Sequence, residues 1–317
     1  MLTRRTVLKE MASIIPATLV SVPALSEEQW VALDGEPSRA QLMDAALAVD
    51  VAELGPITKS EQESLALWAG FYFPTDALYD KILKKQREGQ ILGIDISHYQ
   101  PTIAHALLSL QAVGFTYVKA SQGPLGFDRS FDQHWRNLKK YHVPRGAYHF
   151  LTPDADGKLQ AEHFLAVVNK SGQLETGDLV PVVDVESTTT DPSQDAWRSK
   201  DPEKIISIVY DFLTTVQANV PKSNPLIYTV RSWWSLLQPG RKPTELELPA
   251  KLRPYRIWIA DYGIKQGKFE KPRVLRNANV VLWQFSDSAH LTSGYGGNLD
   301  ASVYFGSPEQ FKSEMLL

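Results

Sequence analysis

Two carboxylates with a single residue between them, in Asp184-Val185-Glu186, are the most chemically pointed feature of the chain. They follow Val180-Pro181-Val182-Val183, an apolar run of the kind that forms a strand buried on both faces. On a strand, residues i and i+2 point the same way. Asp184 and Glu186 therefore face one space, with Val185 turned away from it. Two coupled carboxyls tend to titrate apart, one holding its proton longer than the other. A protonated carboxyl beside an ionised one is what cleavage of a glycosidic bond requires. The plainer alternative is a strand-end pair held by Arg, Lys or backbone amides, and the motif alone does not separate the two.

Other acids fall at comparable places. Asp95 lies late in Ile91–Ser97, and Asp261 near the end of Arg256–Tyr262. Tyr99, Tyr148, His149, Trp258, Tyr262, Trp283 and Gln284 fall in or just after such segments. Aromatic faces stack on sugar rings and amides bond hydroxyls, so this set suits a carbohydrate. Each of these residues taken singly is more readily explained by the core.

The strands and helices that would carry these groups begin at Ile91. Eight short segments rich in β-branched and aromatic residues run from there: 91–97, 115–121, 145–150, 179–186, 226–230, 256–262, 280–285 and 299–304. Helix-like stretches at 103–113, 130–142, 157–171 and 202–219 separate the first five. Strand alternating with helix predicts parallel βαβ units. The later connections, 263–279 and 286–298, hold Gly, Asn and Lys and read poorly as helix. The expectation is an α/β fold: a TIM-like barrel over 91–317 with reduced last helices and a short C-terminal tail. In such barrels the reactive groups sit at the C-terminal ends of the strands.

Residues 27–90 read as a separate helical appendage. Ser38 is placed to cap a helix through about Val51, and Thr58 or Ser60 to start another through Trp68. Pro74-Thr75-Asp76 opens a third that ends at Gly89, with the basic string Lys81–Arg87 as its solvated end. No chemical signature marks this region, and it is expected to take no part in the chemistry. Residues 1–26 read as an export signal: Arg4-Arg5 of the twin-arginine type, a short apolar run, and Ala24-Leu25-Ser26 as the cleavage site. The apolar run is too short to span a membrane comfortably. The product is expected in the periplasm or outside the cell, without a membrane anchor and as a monomer.

Composition excludes several classes. The chain has 317 residues, 43% of them hydrophobic, enough for a large core without staples. No cysteine is present, which removes thiol nucleophiles, thiolate zinc sites and iron–sulfur clusters. The net charge of −3, without a basic stripe, argues against nucleic acid as a partner. The seven histidines show no paired-ligand spacing, so neither a metal nor another cofactor is expected. No G-x-S-x-G elbow, phosphate-binding loop or dinucleotide fingerprint occurs.

The order of the motifs completes the reading. They are Gly93-Ile94-Asp95-Ile96-Ser97-His98-Tyr99-Gln100, then Phe115–Gly123, Gly146-Ala147-Tyr148-His149-Phe150 and Val183-Asp184-Val185-Glu186. Ile257–Tyr262, Leu282-Trp283-Gln284-Phe285 and Leu299-Asp300 follow. In this order, over about residues 91 to 306, the chain resembles glycoside hydrolase family 25, the N,O-diacetylmuramidase lysozymes. The resemblance implies five βα units followed by three strands. It implies hydrolysis of the β-1,4 bond after N-acetylmuramic acid, with peptidoglycan glycan strands as partner. It implies Glu186 as general acid, Asp184 as the carboxylate that orients the reacting N-acetyl group, and Asp95 as a third catalytic acid. Tyr148, Asp261 and Gln284 would line the groove, and Tyr99, Gln122 and Trp283 would join them as substrate contacts. Many members have an acid where this chain has Gln122, and an amide can serve neither as base nor as nucleophile. A non-catalytic wall-binding protein on the same barrel, or another N-acetylhexosaminidase such as a chitinase, remains an alternative.

Overall fold

The computed structural model describes residues 27–38, 41–42, 70–80, 84–262 and 272–317. The expected export signal and the helix expected over about 58–68 lie outside the described residues. The strands in chain order are β1 (Val31–Ala32), β2 (Tyr72–Phe73), β3 (Tyr79–Asp80), β4 (Lys85–Gln86), β5 (Ile91–Ile96), β6 (Phe115–Gln122) and β7 (Gly126–Phe127). They continue as β8 (Arg145–Phe150), β9 (Val182–Val185), β10 (Leu226–Val230), β11 (Arg256–Ala260), β12 (Asn279–Leu291) and β13 (Leu299–Tyr304). Helix α1 is Thr75–Leu78, α2 Phe131–Lys140, α3 Gly157–Lys170, α4 Pro202–Asn219 and α5 Pro308–Met315.

Eight strands close a barrel in the order β5, β6, β8, β9, β10, β11, β12, β13 and back to β5. All neighbours are parallel except β13, which runs antiparallel to both β12 and β5. The cause is chain length. Residues 292–298 are too few for the crossover that a parallel return needs, which is about a dozen residues or more. Helices α2, α3 and α4 fall where the sequence places them. The stretch expected as helix over 103–113 is instead two 3-10 turns, His105–Leu107 and Ser109–Gln111, ended by Ala112 in the left-handed region (φ 60°).

Large aromatic side chains fill the barrel interior. Tyr117 lies 5.0 Å from Trp258 between ring centroids, and Tyr228 lies 4.9 Å from the same indole. Glycines make the room. A Cβ on Gly93 would come within 2.4 Å of the Phe115 ring, and one on Gly146 within 2.2 Å of Tyr117. Away from the site, Arg145 donates to both carboxylate oxygens of buried Asp178 at 2.8 and 3.1 Å and stacks on Trp135. Removing one partner strands a buried charge. Asp178→Ala is expected to cost about 3–5 kcal/mol, read as a lowered denaturant midpoint at unchanged slope.

Where it is described, the appendage departs from one of the three helices expected of it. Ser38 does cap a helical turn: its hydroxyl accepts from Gln41 N–H at 3.3 Å, and the Gln41 side chain accepts from Ser38 N–H at 2.8 Å. The rest of that helix lies outside the described residues. The third expected helix, 74–89, stops after Leu78. Tyr79 is extended (φ −133°, ψ 126°), and β3 pairs with β4 as a hairpin. Arg87 holds the hairpin against the short helix, its Nε donating to Asp76 O at 2.7 Å and its guanidinium pairing with Asp80 at 3.2 Å. The described part of the basic string, residues 84–87, therefore belongs to the hairpin rather than to a helix end. Strand β1 adds to the barrel sheet beside β7, and β2 pairs with the far end of β12.

Candidate active site

A groove of about 490 Å³ opens at the barrel mouth. Its floor comes from strand ends: Asp95 from β5, Lys119 and Gln122 from β6, Tyr148 and Phe150 from β8, and Asp184 from β9. Alternation along each strand explains the choice. Tyr148 and Phe150 turn inward, while His149 between them turns outward and stacks on Phe212 of α4 at 5.0 Å.

Asp95 is held by a relay. Gln284 Nε2 donates to Asp95 Oδ2 at 2.7 Å, and Gln284 Oε1 accepts from the Tyr228 hydroxyl at 2.6 Å and from Tyr262. Asp95 Oδ2 is an acceptor and calls for the N–H side of the amide, which fixes which way it faces; the two hydroxyls can donate to the oxygen that remains. Burial, with Tyr228, Asp300, Asp287 and Asp95 nearby, holds the Tyr262 hydroxyl well above its ordinary pKa, so it stays a donor. The loop after β5 is locked by Asp128, whose Oδ2 accepts from His98 N at 2.9 Å and lies 2.7 Å from His98 Nδ1. That lock sets Ser97, Tyr99 and Gln100 in the groove wall. Across the mouth, Asp195 accepts from the Thr188 hydroxyl at 3.1 Å and so holds the loop after β9.

Of the residues singled out in the sequence, Asp95, Asp184, Tyr148, Gln122 and Tyr99 line this groove. Glu186 follows β9 and is buried, 1% exposed. Gln284 lies beneath the groove, buried, and acts on it through Asp95. Asp261 and Trp283 do not line it. The Asp261 carboxylate accepts from Arg273 N at 2.6 Å and pairs with the Arg273 guanidinium, and Trp283 Nε1 donates to Asp261 O at 2.9 Å. Asp261 thus answers to a neighbouring arginine, the alternative that any strand-end acid carries.

The groove also holds acids that strand-end reasoning passes over. Asp300 pairs directly across from Asp95 in the β13–β5 register and lines the groove. It stands near the N-terminal end of its strand because β13 runs the opposite way. Asp287 enters because β12 continues past Phe285 to Leu291. Glu36, Pro37, Ser38 and Leu42 form one wall from the appendage, for which the sequence held no signal.

The outward His149 carries a pH consequence. Its Nδ1 lies 2.8 Å from Ser121 Oγ and its Nε2 3.2 Å from Gln160 Oε1. Gln160 spends its own N–H donors on Thr152 O and Ala155 O, so its oxygen accepts from His149 Nε2–H. Burial pushes the His149 pKa down to about 3 and that of His105 to about 4, from 6.5. The unfolded chain takes up these protons first. Stability is therefore fully present above about pH 6.5 and is lost as pH falls toward these folded values. Thermal melts should fall between pH 7 and pH 4, and His149→Gln should flatten that slope; an unchanged slope would refute the assignment.

Comparison with known proteins fits this geometry. The sequence profile described as glycosyl hydrolases family 25 matches residues 94–293. Lysozyme M1 of Streptomyces globisporus is 26% identical over 220 residues, 68% of this chain and 68% of the relative. An N,O-diacetylmuramidase of Arthroderma benhamiae is 25% identical, covering 71% of this chain and 87% of its own length. Among solved structures, a bacterial lysozyme from Streptomyces coelicolor superposes with a TM-score of 0.60 at 24% identity, over 72% of this chain and 97% of that one. A family 25 glycosyl hydrolase from Bacillus anthracis gives 0.58 at 23%, over 71% and 93%. With the profile spanning most of the barrel, the chain belongs to glycosyl hydrolase family 25, and it is a glycoside hydrolase.

Proposed function

We propose that this hydrolase is an exported muramidase that cuts the β-1,4 bond between N-acetylmuramic acid and N-acetylglucosamine in peptidoglycan. The observation that carries the reading is the acid-floored groove, with Asp95, Asp184 and Asp300 together at one mouth of the barrel. Relatives named as muramidases and lysozymes support the substrate. Glu186 serves as general acid to the leaving oxygen. Asp184 holds the N–H of the substrate's acetamido group, whose oxygen attacks the anomeric carbon. Asp95, oriented by Gln284, completes the acid set. Tyr148, Tyr99 and Gln122 contact the glycan.

Among the described residues no helix is long and apolar enough to cross a membrane. The export reading rests on residues 1–26 of the sequence, and the protein acts as a monomer in the wall space. Mass spectrometry of products from purified peptidoglycan tests the substrate. New reducing ends on muramic acid are expected. Reducing ends on N-acetylglucosamine, or digestion of chitin oligomers in preference to peptidoglycan, would overturn the reading.

A further inference from the structure

The appendage enters the groove as a built wall. β1 pairs in parallel register with β7, Val31 opposite Gly126 and Ala32 opposite Phe127. Leu33 N donates to Phe127 O at 3.1 Å, extending the same ladder. Trp30 packs edge-on against His163 at 5.2 Å, with Lys170 over its ring. Beyond this anchor the chain turns across the mouth. The Tyr99 hydroxyl donates to Glu36 O, Ser38 starts its capped turn, and Leu42 is buried at 4% exposure. Backbone pairing, an aromatic anchor and a cap thus fix Glu36 on both sides.

The Glu36 side chain faces the groove. Its Oε2 lies 3.9 Å from Lys119 Nζ, and Lys119 in turn donates to Gln122 Oε1 at 2.6 Å. Oε2 is itself buried, yet accepts no hydrogen bond among the described residues. A buried acceptor left unsatisfied is costly, and a donor arriving with a ligand would relieve that cost. A sugar hydroxyl or acetamido N–H is such a donor, and on the muramidase reading a glycan occupies this groove.

We propose that Glu36, Pro37, Ser38 and Leu42 are a permanent wall of the glycan groove, and that Glu36 is a substrate-binding residue taking a hydroxyl or amide N–H of an amino sugar. This rests on the muramidase reading for the identity of the glycan. The wall belongs to the working enzyme and is not a plug to be removed. Part of the groove's specificity is therefore carried outside the barrel.

The test uses the full chain and compares Glu36→Gln, Glu36→Ala and Glu36→Asp with the wild type. A hydrogen bond to a charged group implies about a tenfold or larger effect. KM on solubilised peptidoglycan should rise about tenfold in Glu36→Ala, kcat should change little, and Glu36→Asp should recover part of the loss. Calorimetric titration with purified muramyl-containing disaccharide and with N-acetylglucosamine oligomers reads the same loss without turnover. It therefore judges Glu36 even if the wild type cuts a different bond. KM and Kd both within twofold of wild type in every variant would overturn the proposal. So would a rise in kcat/KM, which would make the segment an autoinhibitory plug. Melting temperatures within a few degrees of wild type are expected, because Glu36 sits on the rim. If Glu36→Ala fails to fold, Glu36→Gln, which keeps the size but removes the charge and turns one acceptor oxygen into an N–H donor, decides the question.

Discussion

Glu186→Gln is expected to lower kcat on peptidoglycan by about 10²–10⁴-fold, the usual contribution of a positioned general acid. The substitution keeps the side chain's size and its hydrogen-bonding capacity and removes only the transferable proton. The residue follows β9 and is 1% exposed, so a change of volume would confound the result, and the isosteric amide avoids that. The melting temperature should stay within a few degrees of wild type. A second substrate isolates the role. An aryl glycoside with an acidic phenol leaves without protonation, so its turnover should be largely spared. Equal loss on both substrates would mean that Glu186 does something other than protonate the leaving group. Full activity on cell walls would remove it from the mechanism.

The chain showed its barrel in the sequence because strands buried on both faces read as apolar runs, and Val180–Val183 before Asp184 is one of them. Its acids were visible in so far as they obeyed one rule, that parallel strands present chemistry at their C-terminal ends. Asp95 and Asp184 obey it. Asp300 escapes it because β13 runs antiparallel and brings its first residues to the same mouth. Asp261 satisfies the rule in sequence yet spends its carboxylate on Arg273, twelve positions along the chain, and no local pattern could reveal that pairing. His149 and Tyr148 are neighbours in one motif, and only strand parity separates the outward ring from the groove residue. Glu36 was beyond reach altogether. Its position depends on the two-residue pairing of β1 with β7 and on a hydroxyl donated by Tyr99, both long-range contacts without periodicity. The third expected helix failed for the same kind of reason. The helical signal at Pro74–Asp76 is real for one turn, and then Arg87 bonding to Asp76 and Asp80 favours a hairpin.

The second large effect concerns stereochemistry. Hydrolysis is expected to retain configuration at the anomeric carbon, and Asp184→Asn to slow it by about 10²–10³-fold. Asp184 and Glu186 are two residues apart, so their Cα atoms are separated by roughly 6.5 Å along the chain. Both stand at the C-terminal end of β9, Glu186 just past its last residue. Inversion requires carboxyls about 6.5–9.5 Å apart that flank the bond from opposite faces with a water between, which neighbours on one strand supply poorly. A direct nucleophile would have to come from across the groove. Gln122 is an amide whose oxygen already accepts from Lys119 at 2.6 Å. Asp95 has one carboxylate oxygen on Gln284 at 2.7 Å. The substrate's acetamido group is carried on the ring carbon next to the one that reacts, so its oxygen can close a five-membered ring, and intramolecular attack gains the large advantage of proximity. Asp184 would stabilise the positive charge that develops on that amide as its oxygen attacks, and an asparagine cannot match that charge. Proton NMR of the first product should therefore show the β-anomer before mutarotation. A fluorinated acetamido group, a poorer nucleophile, should slow the wild-type enzyme far more than it weakens binding. An α-anomer as first product would end the argument for retention, and a glycosyl ester trapped on Asp95 or Asp300 would replace the substrate's own amide with a protein nucleophile.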